Sequence, residues 1–229
     1  ANDPEGDSLS YSLPNSSEFS IDSNGEITVA DSSQLDFESN SSLTFDVEVS
    51  DGNLTDSAMV TVNLDDVNEA PSLDDTSFSL AENSSNDPTV GTLTANDPEG
   101  DLLDYSLDNT AFSIDSNGKI TVADSSQLDF ETNSSFTFDV EVSDGNLTDS
   151  ATVTVNLDDV NEAPSLANGS FSIDENSSNG VTVGTLTAND PEGDSLDYSL
   201  DNTAFSIDSN GEITVADSSQ LDFETNSSF

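Results

Sequence analysis

The chain has 229 residues, with 48 acidic side chains against one basic one, Lys119, which leaves a formal net charge of -47. So negative a surface repels nucleic-acid phosphates and anionic lipid, which excludes a nucleic-acid binder and makes a cation the natural partner. With neither cysteine nor histidine, disulfides, structural zinc sites, thiol nucleophiles and imidazole bases are excluded too.

Only 32% of the residues are hydrophobic, and low hydrophobicity with high net charge is the composition of chains that stay disordered. Here the apolar residues are ordered along the chain rather than scattered. In "FTFDVEVSD", Phe136, Phe138, Val140 and Val142 share one face while Thr137, Asp139 and Glu141 take the other, the pattern of a half-buried strand. No stretch is apolar enough to insert into a membrane. The chain opens on Ala1 without a signal-peptide pattern and reads as an interior piece of something longer.

A repeat organises the whole sequence. "TVNLDDVNEAPSL" occurs at residues 61–73 and again, letter for letter, at 154–166, and Leu35, Leu128 and Leu221 are spaced by the same 93 residues as Pro71 and Pro164. Residues 104–136 match residues 197–229 but for Lys119 in place of Glu212, the mark of recent duplication. Three units follow: a truncated repeat over 1–70 that enters at "ANDPEGD" without its opening strands, a complete repeat over 71–163, and a truncated repeat over 164–229 that stops without its last two strands.

Within the complete repeat, seven strands are predicted in chain order: "SFSL", "VGTLTA", "LDYSL", "AFSID", "KITVA", "FTFDVEVSD" and "ATVTVNL". Each is short and bounded by Gly, Pro, Asn, Asp or Ser, and no helical period of useful length intervenes. Seven strands in some 90 residues predict an all-β fold of tandem Greek-key sandwiches. The inward residues are expected to be Phe78, Leu80, Leu93, Leu103, Tyr105, Leu107, Phe112, Ile114, Ile120, Val122, Leu128, Phe138, Val140, Val142, Val153, Val155 and Leu157. "DSNGKI" at 115–120 lacks the alternating acids and closing glutamate of an EF-hand loop and is expected to be a hairpin turn, with Asn-Gly permitting positive φ.

Acidic clusters recur at fixed places in the repeat: "AEN" at 81–83, "NDPEGD" at 96–101, "LDFE" at 128–131, "VSDG" at 142–145 and "LDDVNEAP" at 157–164. Loops of a Greek-key sandwich gather at its two ends, so clusters distant in sequence can meet where one repeat hands over to the next. A hard cation that takes six to eight oxygens fits such a meeting point, and calcium fits best.

The order of these clusters resembles the cadherin repeat, and more closely its bacterial cadherin-like relatives in large surface adhesins; the resemblance spans the chain. It implies elongated tandem sandwiches of the cadherin-like, immunoglobulin-like kind, with calcium ions at the junctions. In the complete repeat it implies ligands at Glu82, at Asp129 and Glu131, at Asp159, Asn161 and Glu162, and at Asp97, Glu99 and Asp144. Carried by the period to the flanking copies, it implies Asp36, Glu38, Asp66, Asn68 and Glu69 on one side and Glu175, Asp190 and Glu192 on the other. The linker departs from the animal form, in which two more polar residues separate the asparagine from Ala-Pro; here only Glu162 does. There is no tryptophan, so adhesion by exchange of a tryptophan-bearing strand is not available.

The function expected is mechanical: calcium-rigidified extender repeats of a secreted or cell-surface bacterial adhesin, with glycan or protein targets engaged through other domains. An extracellular location suits calcium dependence, because extracellular calcium modules bind at about 10⁻⁴–10⁻³ M and cytosolic calcium is far scarcer. The alternatives are a carbohydrate- or protein-binding module and a spacer in a large secreted enzyme. Sugar platforms need exposed Trp or Tyr, whereas Tyr11, Tyr105 and Tyr198 each sit in an alternating core pattern. Paired acids such as Asp129 and Glu131 suffice for glycoside hydrolysis, but a pair copied into every repeat reads as structure, so no enzymatic activity is expected. Asn-x-Ser/Thr triplets such as "NSS" at 133–135 and "NLT" at 146–148 are formal glycan acceptors, abundant in any chain this rich in Asn and Ser.

Overall fold

A computed structural model describes residues 1–225 and 227–229. The first copy contributes β1 (Ser10–Ser12), β2 (Phe19–Ile21), β3 (Ile27–Val29), β4 (Ser42–Ser50) and β5 (Thr55–Asn63). The middle copy contributes β6 (Thr76–Ala81), β7 (Thr89–Thr92), β8 (Asp104–Leu107), β9 (Phe112–Ile114), β10 (Lys119–Val122), β11 (Ser135–Ser143) and β12 (Thr148–Asp158). The third contributes β13 (Ser165–Leu166), β14 (Thr182–Thr185), β15 (Ala188–Asn189), β16 (Phe205–Ile207) and β17 (Glu212–Val215). The fold is all-β, and the only helical pieces among the described residues are three short 3₁₀ turns, at Ser32–Gln34, Ser125–Gln127 and Ser218–Gln220.

All seven strands expected in the middle copy form. They make a sandwich of a four-stranded sheet, ordered β6-β12-β11-β8, against a three-stranded sheet, ordered β7-β10-β9. The alternation along β11 and β12 sets their faces: Phe138 pairs with Val153 and Val140 with Ala151, so their side chains share the inner face while Asp139 and Thr152 share the outer one. β6 joins β12 in parallel, Phe78 beside Val155 and Leu80 beside Leu157, which closes the sheet with the copy's first and last strands.

The core lies between these sheets. Phe112 stacks on Phe138 across the sandwich, ring centroids 5.4 Å apart, and Ile120, Val122, Val140, Val142, Val153 and Val155 are shielded almost completely. Each such side chain contributes about 1.5–3 kcal/mol on full burial. All the inward residues expected from the sequence lie in this cluster or pack against it, joined by Leu73, Ala111 and Ala151. Gly91 permits the close approach of β7: a Cβ there would stand 2.1 Å from the Phe78 ring.

The flanking copies differ in what they lack. In the third, Ser170–Ile173 and Leu196–Leu200 repeat the sequences of β6 and β8 closely, yet neither forms a strand. β6 and β8 are held by β12 and β11, and the 229 residues contain no third counterpart of either. Ladder hydrogen bonds to a neighbouring strand, not local propensity, decide those segments. The buried cluster there shrinks to Ala204, Val215 and Leu221. In the first copy β4 and β5 pair along their full length, but Val60 and Val62 are only half-buried where their counterparts Val153 and Val155 are shielded, and Met59, like Thr152, faces outward.

Candidate metal centre

Two acidic junctions are built from segments far apart in sequence. At the second junction Glu82 follows directly on β6, and its backbone N–H donates to the Asp158 carbonyl at the end of β12. Its side chain is 3% exposed. One carboxylate oxygen accepts from the Phe130 N–H at 2.7 Å and the other from the Val160 N–H at 2.7 Å, so a single buried Glu ties the "LDFE" loop to the acidic linker. Carboxylate oxygens of Glu82, Glu131 and Asp159 lie within 4.8 Å of one another, as do those of Glu131, Glu162 and Glu192. Glu131 therefore belongs to both groups, and Glu192 brings in the third copy. The cleft there is lined by Glu82, Asn83, Asp129, Glu131, Glu162 and Pro191.

The linker and the Asp-Pro-Glu loop are stitched together in the same way at both junctions. The Glu69 N–H donates to Glu99 at 3.2 Å, and the Glu162 N–H donates to Glu192 at 2.9 Å. At the first junction Glu38, Glu69 and Glu99 converge within 4.8 Å. Asn68 donates its amide to Asp144 at 2.8 Å and to the Glu69 carbonyl at 2.9 Å. Asp144 is held in its turn by the N–H groups of Asn146 and Leu147, both at 2.6 Å. Asn161 makes the matching bond to the Glu162 carbonyl, while among the described residues its amide meets no aspartate. Asn83 donates to Glu162.

Crowding of like charges shows in the acidities. Sharing a hydrogen bond with Glu99 pushes Glu69 up to about 7, and sharing one with Glu192 pushes Glu162 up to about 7. Desolvation, then the charges of Glu82, Asp159 and Glu192, raise Glu131 against the pull of its own N–H. The Glu38 carboxyl is lowered by its own N–H but raised overall by desolvation and the charges of Asp66, Glu99 and Asp36. Hydrogen bonding from Asn68 leads the causes that lower Asp144.

Several residues expected as ligands bond within their own loops. Asp36 accepts from the Ser39 N–H and hydroxyl, Asp129 from the Thr132 N–H, Asp97 from the Asp101 N–H and Asp190 from the Asp194 N–H. Asp66 contributes its charge beside Glu38 rather than a hydrogen bond. Among the described residues, three carboxylate oxygens are enclosed without any donor: Asp97 Oδ2, Glu99 Oε2 and Glu192 Oε2. Glu175 stands apart from both junctions and converges instead with Asp222 and Glu224. Those two are residues that the sequence reading passed over, although Asp129 and Glu131 carried forward by one period of 93 land on them.

Comparison with known proteins bears on this arrangement. The family model described as "Cadherin domain" matches residues 76–158. Mouse cadherin-24 is 36% identical over 166 residues, covering 61% of this chain and 21% of its own length. The chain thus spans about a fifth of that relative. Among solved structures, mouse protocadherin-24 EC1-3 superposes with a TM-score of 0.58 at 24% identity, covering 96% of this chain and 79% of that one. Drosophila N-cadherin EC1-4 gives 0.56 at 20% identity over 95% of this chain and 59% of that one. At such identities these likenesses establish the fold of tandem cadherin-like sandwiches. The relatives named are animal cadherins, which agrees with an extracellular or cell-surface location and lends no support to a bacterial host. The middle copy, over residues 76–158, is thus the part of the chain that is similar to the cadherin domain.

Proposed function

We propose that the chain is a calcium-rigidified segment of tandem cadherin-like repeats, with domains over 1–70, 71–163 and 164–229, serving as an extender in a cell-surface or secreted adhesion protein. The observation that carries this reading is the enclosure of Asp97 Oδ2, Glu99 Oε2 and Glu192 Oε2 without a donor, next to clustered carboxylates, in a chain whose one basic side chain is Lys119. Buried acceptors without donors cost free energy, and no side chain here supplies the compensating positive charge. A divalent ion does. The donor set is all oxygen, from carboxylates and asparagine amides, which is the hard set that calcium takes.

On this reading Glu38, Asp66, Asn68, Glu69, Asp97, Glu99 and Asp144 hold ions at the first junction, with Asp36 turning outward from its Ser39 contacts. Glu82, Asp129, Glu131, Asp159, Asn161, Glu162, Asp190 and Glu192 hold them at the second. Glu175, with Asp222 and Glu224, presents the same half-site to a further repeat. The bacterial-adhesin setting rests on the sequence resemblance alone. Extender and secreted-enzyme spacer share these junctions, and adhesion is favoured because the relatives are cadherins.

Calcium at 100 times its dissociation constant contributes about 2.7 kcal/mol per independent site. The test is a thermal melt in chelator and in millimolar calcium at matched ionic strength. A higher Tm in calcium is expected; equal values would refute the reading.

A further inference from the structure

We propose that Tyr105 is a positioning residue for calcium at the first junction, and Tyr198 for calcium at the second, each acting through one hydrogen bond to the loop that carries the Asp-Pro-Glu acids. The inference rests on the calcium reading above. The Tyr105 hydroxyl accepts the Ala95 N–H at 3.1 Å, and the Tyr198 hydroxyl accepts the Ala188 N–H at 3.0 Å. The same contact recurs in the first copy, where the Ala1 amino group donates to the Tyr11 hydroxyl at 3.4 Å. Three copies thus place the phenol against the alanine that opens the acidic loop.

Ala95 lies two residues before Asp97. The next residue, Asn96, is bridged to Ser72, with Ser72 N–H to Asn96 carbonyl at 2.7 Å and Asn96 N–H to Ser72 carbonyl at 3.0 Å. The loop is therefore clamped on one side by the strand that continues the linker and on the other by Tyr105. Without the phenol, the half-buried Ala95 N–H has no other partner among the described residues, and the loop's entry is free to shift. The ring is fixed in turn from below. Gly118, at φ +74°, lies so close that a Cβ would stand 3.3 Å from Tyr105 Cζ, and Gly211 sits under Tyr198 at 3.2 Å in the same way. Core packing is thereby transmitted to the acids by a rigid ring with a polar tip.

A phenylalanine retains the packing and removes only the acceptor. A net hydrogen bond corresponds to about 0.5–1.5 kcal/mol, so Tyr105→Phe is expected to weaken calcium at the first junction roughly twofold to tenfold. The experiment follows calcium titrations of the 229-residue chain by amide NMR, with Gly100 reporting the first junction and Gly193 the second, for the unmodified chain, Tyr105→Phe, Tyr198→Phe and Tyr11→Phe. Each of the first two variants should weaken its own junction and spare the other. Tyr11→Phe should alter neither, because Asp3 and Glu5, the acids of its loop, belong to neither junction cluster. Tm should fall further in calcium than in chelator, which a merely structural role would not produce. Unchanged affinity in both Tyr105→Phe and Tyr198→Phe, or equal losses of Tm with and without calcium, would overturn the proposal. If the unmodified chain bound no calcium, the reading beneath it would fail as well, and that outcome is distinguished because it requires no variant.

Discussion

Asn68 and Asp144 are 76 residues apart in sequence, yet the amide of one donates to the carboxylate of the other at 2.8 Å, joining the linker to a turn at the head of the β11–β12 hairpin. The second junction has the asparagine, Asn161, without the aspartate. A double-mutant cycle on Asn68→Ala and Asp144→Ala should therefore yield a coupling free energy of about 0.5–1.5 kcal/mol, read from chemical denaturation. Asn161→Ala should cost less than Asn68→Ala.

Glu82 uses both carboxylate oxygens as acceptors for backbone N–H groups, from Phe130 and Val160. Glu82→Gln preserves shape but turns one oxygen into a donor that faces another donor. Leaving a buried N–H unsatisfied costs about 1–3 kcal/mol. Since about 1 kcal/mol shifts the Tm of a domain this size by about 4–8 °C, a fall of at least about 4 °C is expected in chelator. Glu131→Gln should not lower the chelator Tm, because Glu131 is raised by desolvation and by the charges of Glu82, Asp159 and Glu192.

The acidities give the metal-free chain a pH dependence of definite sign. Glu69 and Glu162 sit near 7 in the folded chain against 4.5 for the ordinary glutamate. A group raised on folding stabilises below its unfolded pKa, and that contribution is lost as pH rises through the folded one. Their partners Glu99 and Glu192 are lowered, so their contribution is lost only on acidification below the ordinary value. Between about pH 4.5 and 7 the chelated chain should thus lose stability as pH rises, and apparent calcium affinity should rise over the same interval as protons leave. Urea midpoints in chelator that increase from pH 5 to 8 would contradict this.

The strands of the middle copy were legible because alternation marks a sheet with one wet face, and β11 and β12 carry it for nine and eleven residues. Leu73 is not, because it lies outside any alternating run and joins the core only in the fold, where its N–H donates to Asp149 across 76 residues of sequence. The copied "SFSID" of the third repeat shows the limit from the other side: its letters resemble those of β6, but a strand needs a partner. At the junctions, residue types and order were legible while orientation was not. Asp36 and Asp129 turn toward the N–H groups of Ser39 and Thr132, a local competition among acceptors that spacing does not reveal. Tyr105 was read as core; its hydroxyl also reaches the loop.

Hydrogen exchange should follow the sheets. Val140 and Val153 lie fully buried in a four-stranded sheet with a second sheet over it. β16 and β17 have only a three-stranded sheet, and Phe229 and Phe171 are 54% and 42% exposed beside it. Amides of β11 and β12 should exchange last. Protection in β16 equal to that in β11, in a monomer, would show that burial does not rank the copies.

The two junctions should bind calcium independently. Glu38 converges with Glu69 and Glu99 at one, Glu131 with Glu82, Asp159, Glu162 and Glu192 at the other, and no carboxylate belongs to both sets. A whole sandwich separates them, and distant sites without shared partners add. Glu38→Gln should thus weaken only the first junction and Glu131→Gln only the second, with the double variant losing the sum of the two effects. The losses should also be unequal. Glu131 sits in two triads and is neighboured by the buried Glu82, whereas the first copy has no counterpart of Glu82 in these 229 residues, so Glu38 starts from the weaker site. Calorimetric titration of the unmodified chain should resolve a tighter class lost in Glu131→Gln and a looser class lost in Glu38→Gln. If either single change abolished every site, or if neither altered any, the assignment of these acids to separate junctions would be wrong.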